Sequence, residues 1–538
     1  MSIVKTGFFG RLLSRTKAKD AKAIALPQDV VALVSEGRCY PLSGFIEWTC
    51  HQDDKALLVG ELELQAVAAN WSAVELAKVA GYSRYFSGDF EGAYNASSSH
   101  LHGEAFDPDF FGIAIMSLFS GSRYRDAYCL LLDSATHRDQ LEGNYDYLVC
   151  AAIVCWCVGD RYRANDYVDA AVSFPGVDAL KRQVALYNAL AIHAELGNDE
   201  GTNAVLVAID AIAAAERQPN LTWGRAFYEL SCNHYQEGFR MAEARYQMSE
   251  ASRHMRRELL DRPRWDRESI RDKTLLIHGE QGLGDMIQTA RFFPACVDAA
   301  AKVIVECPDE SIALLQHNFP QITYVPLRNE PVGQPYDVWT GTMSLPYQFD
   351  VTETTVPHRN GYLEVPDDHL AYWRECVAAK SNNRSLCKIG VAWSGFPGHR
   401  ADSRRSVPWG LVKKLLEQYP DIDFFAVQTK VPNDLPQNVH DCTEEMATLS
   451  DTAALVSLMD LVISVDTSVV HIAGAIAKET WMMLPYRYEW RWGGDGEENP
   501  WYDSVKVIRQ PSPGAWAPVL SQVFGRRLRK FLAERQRS

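Results

Sequence analysis

The sequence holds a glycine-rich turn, residues 278–285 (HGEQGLGD), between an apolar run of β type and a helical pattern. Glycines at such a turn allow tight bending and let a ligand approach the backbone. The turn is neither a Walker loop nor a complete G-x-G-x-x-G fingerprint, so the pattern alone is a weak signal. Asp285 stands where the helix begins, and this position favours a carboxylate that complements the helix dipole over a catalytic one.

A second apolar run ends in polar residues at 464–471 (SVDTSVVH) and leads into another helical pattern. Thr467 and His471 are four residues apart and therefore share one face of that helix. The free N–H groups of a helix N-terminus bind phosphate, which makes this segment a candidate seat for a diphosphate. An Asp or Thr cap followed by a hydrogen-bonded surface histidine explains the same residues equally well.

Basic side chains follow a third apolar run, 390–395 (GVAWSG), in a loop that contains Asp402, Arg404 and Arg405. A guanidinium group can bind two phosphate oxygens at once, so this loop has the composition needed to hold a leaving diphosphate. A solvated basic loop is the alternative.

A fourth segment, 486–503, is rich in aromatic residues, with Trp490 and Trp492 just before a pair of glycines. Aromatic side chains in a loop either stack on a base or sugar or anchor the loop in the core. The residues alone leave both interpretations open.

The spacing of apolar residues between about 70 and 215 predicts helical hairpins. A turn with an aromatic and small residues begins at Ser87, returns 34 residues later at Gly121, and recurs after 38 residues at Gly159 and after another 38 at Gly197. A period near 34 is typical of tetratricopeptide-like repeats, which bury their apolar faces by stacking on neighbours. An irregular helical bundle is the alternative.

Short β-rich runs alternate with helical patterns after about residue 270, which predicts βαβ units and parallel sheets. A polar linker at 380–384 separates two groups of runs. The runs are 274–279, 303–307, 322–326 and 336–340 before the linker, and 388–393, 424–429, 461–466, 480–484 and 505–508 after it. Two Rossmann-like lobes of this kind place a ligand crevice between the carboxyl ends of their sheets.

Composition argues against several other classes of protein. The 538 residues carry a formal charge of −15, whereas duplex binding needs a basic surface, so no nucleic-acid partner is expected. No apolar run reaches the roughly 20 residues of a membrane span and no signal peptide is recognised, so a cytoplasmic location is predicted. Basic clusters within 5–22 and 526–537 are either solvated chain ends or sites of weak peripheral contact with an anionic membrane.

No metal site is predicted. The 12 cysteines lack the spacing of a zinc site. The two Asp-x-Asp pairs, 107–109 and 421–423, are interpreted as structural, because one lies between helices and the other at the start of a strand.

These stretches, in this order and at this spacing, resemble bacterial proteins in which tetratricopeptide repeats precede a GT-B domain related to the heptosyltransferase family, glycosyltransferase family 9. The resemblance covers about residues 225–520. Besides the motifs above, it includes 237–239 (EGF), 243–245 (EAR), Trp265 and 404–408 (RRSVP). The implied organisation is an N-terminal segment of unknown role over 1–70, helical repeats over 71–265, an acceptor-side Rossmann-like lobe over 266–380, and a donor-side lobe with a C-terminal helix over 381–538.

The resemblance also implies roles for individual residues. Asp285 matches the acidic residue that acts as general base in that family. Asp466, Thr467 and His471 match the element that holds the donor nucleotide and its phosphates, and Arg405, or else Arg404, falls where a basic residue contacts the diphosphate. Further residues expected beside the donor are Ser394, Gly395 and Ser468, and those expected near the donor or acceptor are Gln281, Gly282, Gly284, Gln428, Trp490 and Trp492.

The implied activity is metal-independent, inverting transfer of a sugar from a nucleotide-sugar donor to an acceptor hydroxyl, with no cofactor. The concave surface of a repeat array predicts a protein acceptor, for example flagellin or an adhesin. Two alternatives stay open. One is a lipopolysaccharide-type sugar transferase whose basic termini touch the membrane, and the other is a non-enzymatic repeat scaffold with a degenerate nucleotide-binding domain.

Overall fold

The computed structural model describes residues 72–86, 88–121, 123–248, 259, 261–328, 330–382, 387–396, 402–486, 488–493, 496–512 and 514–536. The chain divides into two compact units, residues 1–192 and 193–538. The predictions for residues 1–70 and for the N-terminal basic cluster lie outside the described residues. The bounds of the four predicted domains stay predictions.

The described part of the first unit is helical. Its α-helices are α1 (Ala73–Phe86), α2 (Phe90–Ser97), α3 (Pro108–Ser120), α4 (Tyr124–Asp133), α5 (Arg138–Leu141), α6 (Tyr145–Val158), α7 (Arg161–Ser173) and α8 (Ala179–Leu196), the last of which contains the boundary between the units. Short 3₁₀ turns cover Ser98–His100, Gly103–Ala105 and Ser134–His137.

The recurring turn of the sequence is a connection between helices. At 88–89 and at 159–160 a glycine in the left-handed region (φ 84° and 86°) is followed by an aspartate that caps the next helix. The aspartate carboxylates accept hydrogen bonds from the backbone N–H groups of Gly92 (3.0 Å) and Arg163 (3.3 Å). The helical hairpins are therefore confirmed, and their assignment to tetratricopeptide repeats stays a prediction.

The second unit begins with helices and continues with two sheets. Its helices are α9 (Asp199–Asp210), α10 (Pro219–Ser231), α11 (Tyr235–Ala242), α12 (Leu283–Ala290), α13 (Phe293–Ala299), α14 (Asp309–Asn318), α15 (Leu345–Gln348), α16 (Asp367–Lys380), α17 (Asp402–Arg405), α18 (Trp409–Leu416), α19 (Leu449–Ser457), α20 (Ser468–Ala475), α21 (Trp516–Leu520) and α22 (Leu528–Arg535). Its 3₁₀ turns are Ala214–Glu216, Glu243–Gln247, Thr342–Ser344 and Trp490–Trp492, and Ser521–Arg527 is a π-helix.

Every strand pairing in the two sheets is parallel, as the sequence predicts. The strands are β1 (Ile270–His278), β2 (Ala300–Cys307), β3 (Thr323–Pro326), β4 (Val338–Gly341), β5 (Lys388–Ala392), β6 (Asp423–Ala426), β7 (Val439–Asp441), β8 (Leu461–Val465), β9 (Thr480–Leu484) and β10 (Val505–Arg509). The first sheet has the order β3-β2-β1-β4 and the second has the order β10-β9-β8-β5-β6-β7. The short strand β7 was not predicted.

The strand order reverses beside β1 in the first sheet and between β8 and β5 in the second. In open parallel sheets, ligands bind beyond the carboxyl ends of the strands at such reversals. One hydrophobic cluster joins the two sheets, with Ile277 of β1, Ile287 of α12, Ile472 of α20 and Met482 of β9 all buried in it. The two reversal points are thereby held together by a common core.

None of the helices in the described ranges is both long and apolar enough to cross a lipid bilayer. Two of the basic side chains near the C-terminus pair with carboxylates of the same unit, Arg527 with Glu497 and Arg535 with Asp460.

Candidate functional site

The glycine-rich turn leaves β1 and opens α12. Gly279 is required there, because a Cβ would lie 2.5 Å from the backbone oxygen of Glu306. Gln281 takes a left-handed conformation (φ 60°), and Gly282 is the N-cap residue of α12. The N–H of Gly282 donates to Asp285 Oδ2 (2.8 Å), which confirms the helix-capping role of Asp285.

A buried ion pair fixes this turn from the preceding helical segment. The guanidinium of Arg245 donates twice to the carboxylate of Glu280, with 2.9 Å for each bond, and the N–H of Met343 donates to the same carboxylate (3.1 Å). Burial acts to raise the pKa of Glu280, but the charge of Arg245 outweighs it and holds the pKa below its usual value. The segment 243–245 therefore supports the turn through Arg245.

Helix α12 packs directly on α20, which begins at the carboxyl end of β8. A Cβ added at Gly284 would lie only 2.7 Å from Cδ2 of His471. The N-terminal turns of two helices that follow strands of two different sheets therefore meet, and Asp285 lies beside the start of α20.

His471 is a buried, neutral side chain. Only 5% of it is exposed, so the alternative of a surface histidine is wrong. Its Nδ1 shares a hydrogen bond with the hydroxyl of Tyr502 (3.0 Å), and its ring lies 5.1 Å from that of Trp492. Burial, with help from the nearby charges of Arg491 and Arg291, lowers its pKa well below the usual value. His471 thus shapes the site without adding charge to it.

Thr467 and Ser468 begin α20. Thr467 is the N-cap residue, in extended conformation, and its side chain makes no capping bond to the helix. Its hydroxyl lies 3.4 Å from that of Ser464, a buried residue of β8. The free N–H groups of this helix start are the donors that a phosphate would use.

Asp466, next to this helix start, is partly buried. Burial raises its pKa, while Arg405, the indole of Trp492 and Arg491 lower it, and the charge of Asp285 raises it further. The two aspartates of the predicted site therefore influence one another electrostatically, as neighbours in one site do.

Of the two adjacent arginines, only Arg405 points into this charge cluster. Its guanidinium lies over Gly395, where a Cβ would be 2.7 Å from its Nε. Its carboxylate neighbour Asp402 is 3.7 Å away, and its Nε has no hydrogen-bond partner among the described residues. Arg404 instead forms an ion pair with Glu195, so its predicted role as the alternative phosphate ligand does not fit its position. Residues 397–401 of this loop lie outside the described residues.

The end of β5 is fastened to β6 by Gln428. Its buried side-chain oxygen accepts from the N–H of Trp393 (2.9 Å), and its Nε2 donates to the hydroxyl of Ser394 (3.1 Å). The N–H of Gly395 donates to the hydroxyl of Ser406 (3.0 Å). Gln428 and Ser406 thus set the backbone path past Ser394 and Gly395, at the carboxyl end of β5.

The tryptophans of the aromatic segment 486–503 anchor it in the core, which is the second of the two interpretations that the sequence left open. Trp490 is 4% exposed and packs against Tyr235, Phe239 and Trp501, so it does not stack on a ligand. Trp492 is fully buried beneath His471. Neither tryptophan is exposed for stacking on a ligand, and the predicted place of Trp490 and Trp492 near the donor or acceptor stays a prediction.

Arg491, between these tryptophans, was not singled out in the sequence. Its guanidinium is buried and forms ion pairs with Asp285 and Glu489, and its Nε donates to the side-chain oxygen of Gln288. Burial acts to lower its pKa, but the carboxylates of Asp285 and Glu489 outweigh burial and raise it. Burial likewise raises the pKa of Glu489 to about 7, against the opposing charge of Arg491.

The Asp-x-Asp pairs have structural contacts. Asp107 caps α3 and pairs with Lys78 (2.7 Å), while Asp423 is buried and bonds to His440 (2.9 Å). Across the described ranges, no group of three or more His, Cys, Asp and Glu side chains is placed to hold a metal ion.

No family model matches the chain. The chain is similar to the protein FlbA of Caulobacter vibrioides, with 24% identity over 344 residues, which cover 58% of this chain and 55% of that protein. The chain thus spans about half the length of this curated relative.

Among solved structures, the chain is similar to the family 9 glycosyltransferase of Veillonella parvula (12% identity, TM-score 0.33, 48% of this chain and 91% of that one). It is also similar to the Escherichia coli ADP-heptose lipopolysaccharide heptosyltransferase II (12%, TM-score 0.31, 46% and 99%). A third similar structure is the iron-containing dodecameric glycosyltransferase TibC of enterotoxigenic E. coli (13%, TM-score 0.30, 50% and 78%). At these TM-scores the likeness does not decide what the chain does.

Proposed function

We propose that the chain is a glycosyltransferase that moves a sugar from a nucleotide-sugar donor to an acceptor hydroxyl, by a metal-independent, inverting reaction without a cofactor. The observation that carries this proposal is the packing of α12 on α20, where Gly284 contacts His471. It brings the carboxylate of Asp285 close to Asp466 at the start of α20, and Asp466 in turn lies in the electrostatic field of Arg405, at the carboxyl ends of two parallel sheets.

In the proposed reaction, Asp285 takes the proton of the acceptor hydroxyl while the acceptor oxygen attacks the anomeric carbon. The bond from that carbon to the donor phosphate breaks, and its electron pair leaves with the nucleoside diphosphate. Arg405 and the free N–H groups at the start of α20 stabilise the charge that develops on the phosphate, because both are positive and fixed before the reaction begins. Asp466 and Thr467 hold the polar groups of the donor at the same helix start.

A protein acceptor, such as flagellin or an adhesin, is the proposed acceptor class. Helical hairpins in the described part of the first unit support this choice, since stacked hairpins form extended surfaces for partner chains. The pairing of Arg527 and Arg535 with carboxylates leaves fewer basic groups for a membrane surface, which favours a protein over a lipid acceptor. Vesicle pelleting tests the lipid alternative: binding to anionic vesicles at physiological salt would favour it.

The first experiment is a thermal-shift screen of the full chain against UDP-, GDP-, ADP- and CMP-linked sugars, because a ligand that binds only the folded state raises the melting temperature. A donor found in this way is then tested for release of its nucleotide, with Asp285→Asn as the variant. Asparagine keeps the shape of the side chain and can still accept the hydrogen bond from Gly282. We expect kcat to fall by about 10²–10⁴-fold with little change in the donor dissociation constant. Full activity of this variant would remove Asp285 as the base.

A further inference from the structure

Arg491 connects the two sheets at the site, and nothing in the proposed reaction yet uses it. It belongs to the 3₁₀ turn Trp490–Trp492 that follows β9, whereas Asp285 and Gln288 belong to α12, which follows β1. Its side chain is 6% exposed, and its guanidinium lies 4.3 Å from the ring of Trp490. Both flanking tryptophans, Trp490 and Trp492, are buried.

The contacts of Arg491 fix the orientation of the Asp285 carboxylate. One oxygen, Oδ1, accepts from the guanidinium, and the other, Oδ2, accepts from the N–H of Gly282 (2.8 Å). A carboxylate has about four lone-pair positions, so two donors fix its plane and leave positions for an acceptor hydroxyl. A general base that is already held in one orientation loses no further rotational freedom when it accepts the proton.

Arg491 also divides its charge between two carboxylates. Its second terminal nitrogen binds Glu489, and its Nε binds Gln288. The three acceptors lie in the directions of one planar fork, an arrangement that a lysine ammonium cannot reproduce. The charged groups that face it are Asp285 from α12, Glu489 from its own turn and Asp466 from the end of β8.

We propose that Arg491 is a positioning residue for the transfer step, which orients Asp285 as general base while it shares its charge between Asp285 and Glu489. This inference rests on the proposed function. Before the reaction, the guanidinium faces two carboxylates. After Asp285 has taken the acceptor proton, its charge is gone and Glu489 balances the arginine.

The test compares three substitutions in the full chain, with the donor identified by the screen described above and with kcat measured as a function of pH. An opposite charge favours the ionised form of a carboxylate. Arg491→Gln removes that charge, so we expect the acid limb of the pH profile to move to higher pH and kcat to fall by about 10²-fold, the loss typical of a misplaced catalytic group. Glu489→Gln gives the whole charge to Asp285, so the acid limb should move to lower pH while kcat also falls.

Opposite displacements of the acid limb are a signature that a merely structural role would not give. Arg491→Lys keeps the charge without the fork, so it should retain the wild-type acid limb but lose kcat. The donor dissociation constant should stay within about threefold of the wild type in all three variants, which is a difference of about 0.7 kcal/mol in binding free energy. Should Arg491→Gln fail to fold, Glu489→Gln alone decides, because its side chain is one-third exposed and its loss leaves Arg491 paired with Asp285.

The possible failures can be told apart. A wild-type chain that binds none of the four donor classes and releases no nucleotide overturns the proposed function, and this inference with it. A wild-type chain that transfers, with variants whose kcat and acid limb match the wild type, overturns the inference alone. Parallel losses of kcat and melting temperature with an unmoved acid limb in both glutamine variants also overturn it.

Discussion

Replacing Gly284 by alanine tests the contact between α12 and α20 on which the site depends. A Cβ at this position would lie 2.7 Å from Cδ2 and 3.3 Å from Nε2 of His471. Carbon atoms in contact are roughly 3.5–4.0 Å apart, so the imidazole ring or the helix must move by about 1 Å. His471 has little room to do so, because it is bonded to Tyr502 and packed against Trp492.

Gly410 provides a matched control. Like Gly284, it is the second residue of an eight-residue helix, but a Cβ there would meet nothing within 4 Å. Alanine is favoured over glycine in helices by about 1 kcal/mol, and this gain is common to both variants. Overpacking in a core costs about 1–3 kcal/mol. We therefore expect the free energy of unfolding of Gly284→Ala to lie about 1–3 kcal/mol below that of Gly410→Ala.

Urea unfolding followed by circular dichroism measures this difference, and calorimetry measures donor binding by the same two variants. Because α20 is the proposed phosphate seat, Gly284→Ala should also bind the donor more weakly, whereas Gly410→Ala should bind it as the wild type does. Equal stability of the two variants would refute the close packing of α12 on α20. A destabilised Gly284→Ala with wild-type donor affinity would refute the link between this packing and the phosphate seat.

Two further results are expected. Arg405→Gln should weaken donor binding by about 10–100-fold in calorimetry, which corresponds to the loss of a charge-assisted contact of about 1.5–3 kcal/mol. Arg404→Gln should instead lower the melting temperature and leave the donor affinity unchanged, because Arg404 is paired with Glu195. Since the pKa of His471 is lowered in the folded state, the unfolded state binds the additional proton, and the stability that this neutral histidine contributes is present above pH of about 6.5 and lost below it. The melting temperature of the wild type should therefore fall relative to that of His471→Gln as the pH decreases through this range, and a constant difference between them would show that His471 is not held neutral.

The parallel sheets could be predicted because their signal is local. The strands β8 and β9 are buried at every position, as strands covered on both faces must be, and their sequences are apolar except for Ser464 and Thr480. The strand β7 was missed because it lacks such a local signal: only Val439 of its three residues is apolar and buried. Its identity as a strand depends on pairing with β6, which no local pattern records.

The site was predicted only as far as each motif reaches along the chain. Asp285 and Thr467 were correctly placed at helix starts, because the glycine-rich turn and the polar strand end precede them directly. Arg404 and Arg405 could not be separated, since they are adjacent and their different fates depend on Glu195, far away in the sequence. The contact of Gly284 with His471 arises from the packing of two helices and has no local signature.

The sequence does contain a signal that Arg491 is buried. Its neighbours Trp490 and Trp492 are large apolar side chains, and in a short turn both can enter the core only if the residue between them is drawn inward too. A guanidinium in that position must find carboxylates, because an unpaired buried charge is strongly unfavourable. One such carboxylate, Glu489, lies two residues away in the sequence. A second partner is expected because a guanidinium group has donors in more than one direction. Only the fold identifies that second partner as Asp285, which is why the residue best placed to orient the proposed base could be suspected from the sequence but not assigned.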